Sequence, residues 1–126
     1  AQDSLRVVYL IFTEEADAAF SSGLDSLAGD TARLSRKDAL LKFREAAGKG
    51  HVAAMAYLGT MIFFGRGCEA NETRGRDLCC SALQHGLIEK AVNDSDPPAQ
   101  YILAYMIAHA RLAACLRWPT PTDYLA

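Results

Sequence analysis

Four cysteines and three histidines are the side chains best suited to chemistry in this sequence: Cys68, Cys79, Cys80 and Cys115, with His51, His85 and His109. A zinc site needs thiolate and imidazole ligands at short, regular spacings. Here Cys79 and Cys80 are adjacent, no C-x-x-C occurs, and no cysteine or carboxylate stands at a ligand spacing from any histidine. No metal site and no cofactor is therefore expected. The cysteines suit disulfides better. A bond between neighbours Cys79 and Cys80 inside a helix would be strained. A chain returning antiparallel could bring Cys115 to the helix bearing Cys79 and Cys80, while Cys68 lies just before that helix. Cys80–Cys115 or Cys68–Cys80 is the pairing to expect, and buried free thiols acting as small hydrophobes are the alternative.

The histidines point away from catalysis. His85 falls in the last turn of a helix, where a cationic ring suits the carbonyl end. His109 shares a helical face with Tyr101 and Tyr105. Glu14, Glu15 and Asp17 fit the first turn of a helix, where carboxylates complement the dipole. Arg33, Arg36, Lys37, Lys42, Arg44 and Lys49 read as a solvated basic face. Asp94 and Asp96 sit in a loop rich in helix breakers. No Ser-His-Asp order, phosphate-binding glycine loop or paired carboxylates stand out. The expectation is a protein that is not an enzyme, with no catalytic residue.

A chain of 126 residues is one domain, and 51% hydrophobic with 22% charged residues marks it as ordered. A formal net charge of −2 gives little support to nucleic-acid binding. The longest dense apolar run, Val7 to Phe12, is too short to cross a bilayer, so membrane insertion is not expected. The opening Ala-Gln-Asp fits either a mature exported chain or an excised domain. An even cysteine count favours an oxidising compartment, periplasmic or secreted, over the cytoplasm.

The elements that must position these residues read as helices. Asp3 to Phe12 fits strand or helix and would serve as a cap. Glu14 to Ala28 carries a helical stripe of Ala16, Ala19, Phe20, Gly23, Leu24 and Leu27. Ser35 is a good N-cap for a helix burying Ala39, Leu40, Phe43, Ala46 and Ala47. Val52 to Phe64 is apolar nearly all round, as a helix packed between neighbours would be. Gly65-Arg66-Gly67 stops it. Asn71 can cap the next helix, which reaches His85. Leu87 to Val92 extends or restarts the helix, Asn93 to Pro98 breaks it, and another apolar helix runs from Ala99 to about Leu116. Trp118 to Ala126, with Pro119 and Pro121, should be extended.

These helices repeat. Gly23, Gly29, Phe43, Ala46 and Gly50 have counterparts 36 residues on, at Gly59, Gly65, Cys79, Ala82 and Gly86. Such a step is typical of stacked helix pairs. The run Ala39-x-x-x-Phe43-x-x-Ala46-Ala47-x-x-Gly50-His51-x-x-Ala54-x-x-x-Leu58-Gly59, followed by Gly65-x-Gly67, closely resembles the Sel1-like repeat, a relative of the tetratricopeptide repeat. Ala82 and Gly86 recur in the next unit, and Ala99-Gln100-Tyr101-x-Leu103-Ala104 opens a third.

The resemblance implies an all-α fold: a short right-handed α-solenoid of antiparallel helix pairs, about two and a half repeats with terminal caps. The single domain 1–126 would divide into an N-terminal cap (1–13), a degenerate repeat (14–50), a second repeat (51–86), an insertion (87–98), a capping helix (99–117) and an extended tail (118–126). Ala104 and Ala110 replace glycines of the family pattern, so the last helix is expected to run on. His51 takes a common family position at the turn after the second helix, where its role would be structural.

In such arrays the first helix of each unit lines a concave surface for partner segments. Aligning Ala54 with Ala99 sets Ala56, Thr60 and Phe64 in register with Tyr101, Tyr105 and His109 at i, i+4 spacing, with Tyr57 and Met61 beside them. The expected partner-binding residues are Tyr57, Met61, Phe64, Tyr101, Tyr105 and His109, with Asp94 and Asp96 of the insertion. Their partner would be a protein, such as a secreted toxin held by an immunity protein or an envelope component, or a second copy of the chain. The alternatives are a cysteine-rich Sel1-like protein that binds or hydrolyses cell-wall peptides or β-lactams, and an adaptor domain of a larger scaffold.

Overall fold

The computed structural model describes residues 2–28, 32–112 and 115, with the backbone alone over 2–12 and 32–34. Six helices follow one another: α1 (Gln2–Leu27), α2 (Ala32–Gly48), α3 (Val52–Phe64), α4 (Glu72–Gln84), α5 (Leu87–Val92) and α6 (Pro97–Ala108). No strand occurs among the described residues, so the protein is all-α there.

Local chemistry explains most of the boundaries. The imidazole of His51 caps α3, its Nδ1 accepting from the Ala54 amide at 3.1 Å. Helix α3 ends at Gly65, which takes a left-handed φ of 73° that a Cβ would disfavour. The Arg66 amide then donates back to the Met61 carbonyl at 2.8 Å, satisfying an end carbonyl of the helix. Asn71 caps α4 through the Arg74 amide, and Asp96 caps α6 through the Ala99 amide at 3.0 Å. Pro97 and Pro98 fill the first turn of α6, where a missing N–H costs nothing.

Three boundaries differ from expectation. Residues 1–13 were expected as a separate cap, but α1 runs unbroken through residue 13. Consequently Glu14, Glu15 and Asp17 lie inside a helix rather than in its first turn. Ser35 is inside α2, whose first residue is Ala32. The last helix, expected over 99–117, begins at Pro97 and ends at Ala108. His109 leaves helical geometry with φ −109° and ψ 82°, and the chain turns so that Leu112 is fully buried. Burying a leucine contributes about 1.5–3 kcal/mol, more than a few further residues of exposed helix would. The expected insertion 87–98 supplies α5, the turn through Ser95 and the start of α6. The expected tail, 118–126, lies outside the described residues.

Helix α1 packs on α2 and α3 on α4, while α3 also meets α2 and α6, and α5 meets both α4 and α6. Ten of the thirteen residues of α3 are buried. This central position explains why its sequence is apolar on every side. Two helix pairs repeat one close contact at the 36-residue step. A Cβ at Gly23 would stand 2.7 Å from the Phe43 ring, and one at Gly59 would stand 2.7 Å from the Cys79 sulfur. The second pair is the tighter, because a Cβ at Gly75 would meet the Gly59 carbonyl and Phe63 Cβ at 2.6 Å. Glycine at both positions lets the α3 and α4 backbones touch.

Candidate functional site

Among the described residues, the rings of Phe64, Tyr105 and His109 meet where the C-terminal end of α3 approaches α6, and Tyr101 stands one turn earlier on α6. Tyr101 is 63% exposed and Phe64 39%, Tyr105 is half-buried, and His109 is exposed. Phe64 meets the Tyr105 ring edge-on at 6.3 Å and the His109 ring at 5.5 Å, and the Tyr105 and His109 rings lie 4.5 Å apart. These four residues are the outer part of the column read from the sequence. Such a row of half-exposed rings offers large apolar area at small entropic cost to a binding partner.

The inner part of the column is core. Tyr57 and Met61, expected on the binding surface, are only 8% and 2% exposed, and Ala56 and Thr60 are buried too. The side chains of α6 and α2 close over α3. The Tyr57 ring stacks between Phe43 at 5.2 Å and Tyr101 at 6.4 Å, and burial pushes its phenol up to about 12. Tyr57 and Met61 line a cleft of about 100 Å³ together with Leu27, Arg66, Tyr101 and Tyr105.

Two arginines complete the face. Arg66, between the glycines after α3, lays its guanidinium 5.4 Å from the centre of the Phe64 ring and 6.0 Å from that of Tyr105. Its Nη2 donates to the Tyr105 hydroxyl at 3.2 Å. Arg111 stands 5.5 Å from the centre of the Phe63 ring and pairs with Glu72 at 2.6 Å. Phe63, Phe64, His109, Ala110 and Arg111 line a second depression of about 210 Å³. Sequence reasoning missed both arginines. The position of Arg66 between Gly65 and Gly67 was a faint signal, since a residue in so tight a turn projects from the helix end.

Asp96 and the histidines His51 and His85 have structural work. Asp96 was expected to meet a partner, but its carboxylate is engaged in capping α6, whereas Asp94 is exposed in the turn before it. At His51, Nδ1 accepts the cap hydrogen bond, so Nε2 carries the proton and faces the Asp17 carboxylate at 3.3 Å. The ring stacks on Phe20 at 4.3 Å. Burial, aided by the Lys90 charge, pushes the imidazole down to about 4, while Asp17 and Asp96 oppose the shift. With both nitrogens engaged, His51 is no general base. His85 holds the Ser81 carbonyl through Nδ1 at 2.6 Å. Glu15 pairs with Lys49 at 2.9 Å, joining α1 to the end of α2.

Of the two disulfide pairings named above, the structure holds Cys80–Cys115 and leaves Cys68 and Cys79 as thiols. Cys68–Cys80 is therefore corrected: Cys80 is taken by the chain returning after α6. Cys79 is buried against α3, its sulfur 3.8 Å from the Ala56 carbonyl, and burial pushes its thiol up to about 12, which makes it a poor nucleophile. Among the described residues no group of histidine, cysteine or acidic side chains could hold a metal ion, and no helix is long and apolar enough to cross a membrane. Comparisons with family models, with curated proteins and with solved structures found no match to this chain.

Proposed function

We propose that the chain is a Sel1-like, right-handed solenoid that works as a non-enzymatic protein-binding module. Its partner docks on the aromatic face formed by the end of α3 and by α6. The fold part of this reading is supported by the 36-residue step, which recurs in the packing as Gly23 against Phe43 and Gly59 against Cys79. The single observation that carries the binding part is the cluster of Phe64, Tyr101, Tyr105 and His109, exposed beside a cleft. Aromatic side chains in such clusters commonly supply most of the energy of an interface. Export to an oxidising compartment is the setting we favour, because the Cys80–Cys115 bond would be reduced in most cytosols.

The test compares the chain with its Phe64→Ala/Tyr105→Ala variant as baits under matched conditions. A partner captured by the native chain and lost by the variant, at equal helical content, is the expected result. A partner held equally by both would move the binding surface elsewhere, first to the exposed turn around Asp94.

A further inference from the structure

On the reading that the aromatic face binds a protein, we infer that its partner segment is acidic: a carboxylate received by Arg66 and Tyr105, beside an apolar or aromatic side chain seated in the cleft between Tyr101 and Leu27. Arg111 is neutralised by Glu72, but Arg66 is exposed and has no carboxylate partner among the described residues. Every residue that lines the cleft apart from Arg66 is uncharged, so nothing in the cleft wall answers this cation.

Hydrogen-bond polarity points the same way. Arg66 Nη2 donates to the Tyr105 oxygen at 3.2 Å, which occupies an acceptor site on that oxygen and leaves its own O–H to donate outward. Of the five N–H donors a guanidinium carries, this bond uses one. The pair thus presents donors and no strong acceptor, the complement of a carboxylate, and a charge-assisted bond there is roughly twice as strong as a neutral one. Phe64 and Tyr105 flank the guanidinium at 5.4 and 6.0 Å and limit its rotamers, so less freedom is lost on binding.

The alternative anion, a nucleic acid, fits less well. A phosphate backbone is held by several cations acting together. This face offers one unpaired arginine, on a chain of net charge −2. A cleft of about 100 Å³ also suits one side chain better than a run of stacked bases.

A phage-displayed library of random dodecapeptides, panned on the full chain, tests the inference, with selected peptides then synthesised and titrated by calorimetry. The expected result is enrichment of Asp or Glu near an aromatic residue or leucine. Arg66→Gln should weaken these peptides about tenfold, with Arg66→Lys intermediate because an ammonium lacks the planar fork. Binding should also weaken as salt is raised. Selected peptides that lack acidic residues, yet lose binding on Tyr101→Ala, would overturn the acidic partner and leave the binding face standing. Peptides indifferent to both Tyr101→Ala and Arg66→Gln, or no selected peptide at all, would overturn the face as well. Binding of an oligo-dT strand that depends on Arg66 would replace the acidic peptide with a nucleic acid.

Discussion

Acidification should destabilise this fold through His51, and the size of the effect follows from how the ring is held. Its pKa stands at about 4 in the folded protein, against 6.5 for a free histidine. Between those values the unfolded chain binds a proton that the folded chain refuses, so stability rises with pH. The contribution is fully present above 6.5 and is lost as pH falls toward 4. A shift of this size corresponds to roughly 3 kcal/mol at about 1.4 kcal/mol per unit. Its main cause is the desolvation of a cation against Phe20, with the Lys90 charge beside it. Protonated Nδ1 also cannot accept from the Ala54 amide, and a lost N-cap costs about 0.5–2 kcal/mol.

The assay is urea unfolding at a series of pH values for the native chain and for His51→Asn, which keeps a cap acceptor but cannot titrate. Titrations of carboxylates remote from residue 51 are common to both and cancel in the difference. With a urea dependence of about 1–3 kcal/mol per molar, the native midpoint should fall by roughly 1–3 M more than that of the variant between pH 7 and 4. Asp17→Asn should depress the His51 pKa further, since Asp17 opposes the shift. Parallel pH dependences in the native chain and His51→Asn, or an NMR titration of the His51 ring centred near 6.5, would refute the reasoning.

Four further outcomes are expected. Gly75→Ala should destabilise by about 1–3 kcal/mol in denaturant unfolding, because its Cβ would meet backbone across the α3–α4 contact. Gly48→Ala, with no atom within 4 Å of its Cβ, should instead be neutral or stabilise by up to about 1 kcal/mol. Thiol titration of the denatured, unreduced protein should count two thiols, Cys68 and Cys79; four would remove the main support for an oxidising compartment. Cys80→Ser/Cys115→Ser opens a cross-link spanning 35 residues and should lower stability by about 3–4 kcal/mol on the chain-entropy account, read as a fall in the unfolding midpoint.

The sequence is most legible where local rules decide. Asn71 as a cap and Gly65 as a stop follow from side-chain and backbone chemistry within a few residues, and the apolar run of α3 announced a helix enclosed by others. Its boundaries were less legible where distant contacts decide. The turn after Ala108 depends on burying Leu112 and on bonding Cys115 to Cys80, neither of which the spacing of α6 contains. Ser35 satisfies the rules for a cap, yet α2 already begins at Ala32. The site divides in the same way. Helical register was enough to gather Phe64, Tyr101, Tyr105 and His109 into one column. It was not enough to tell the exposed half from Tyr57 and Met61, because that depends on what α6 covers. Arg66 carried no more than the faint signal of its glycine-flanked turn, since its meaning lies in a contact with Tyr105, 39 residues away.

The most direct test of the binding face is the affinity of a captured partner, measured by calorimetry for the native chain, for Tyr101→Ala and Tyr105→Ala, and for Leu41→Ala and Val92→Ala. The last two remove exposed apolar side chains that lie outside the face, on α2 and α5. Each tyrosine variant should bind about tenfold more weakly or worse, a loss of roughly 1.4 kcal/mol, while the two controls stay near the native value. Undiminished affinity in both tyrosine variants, with a loss at Leu41 or Val92, would contradict the account.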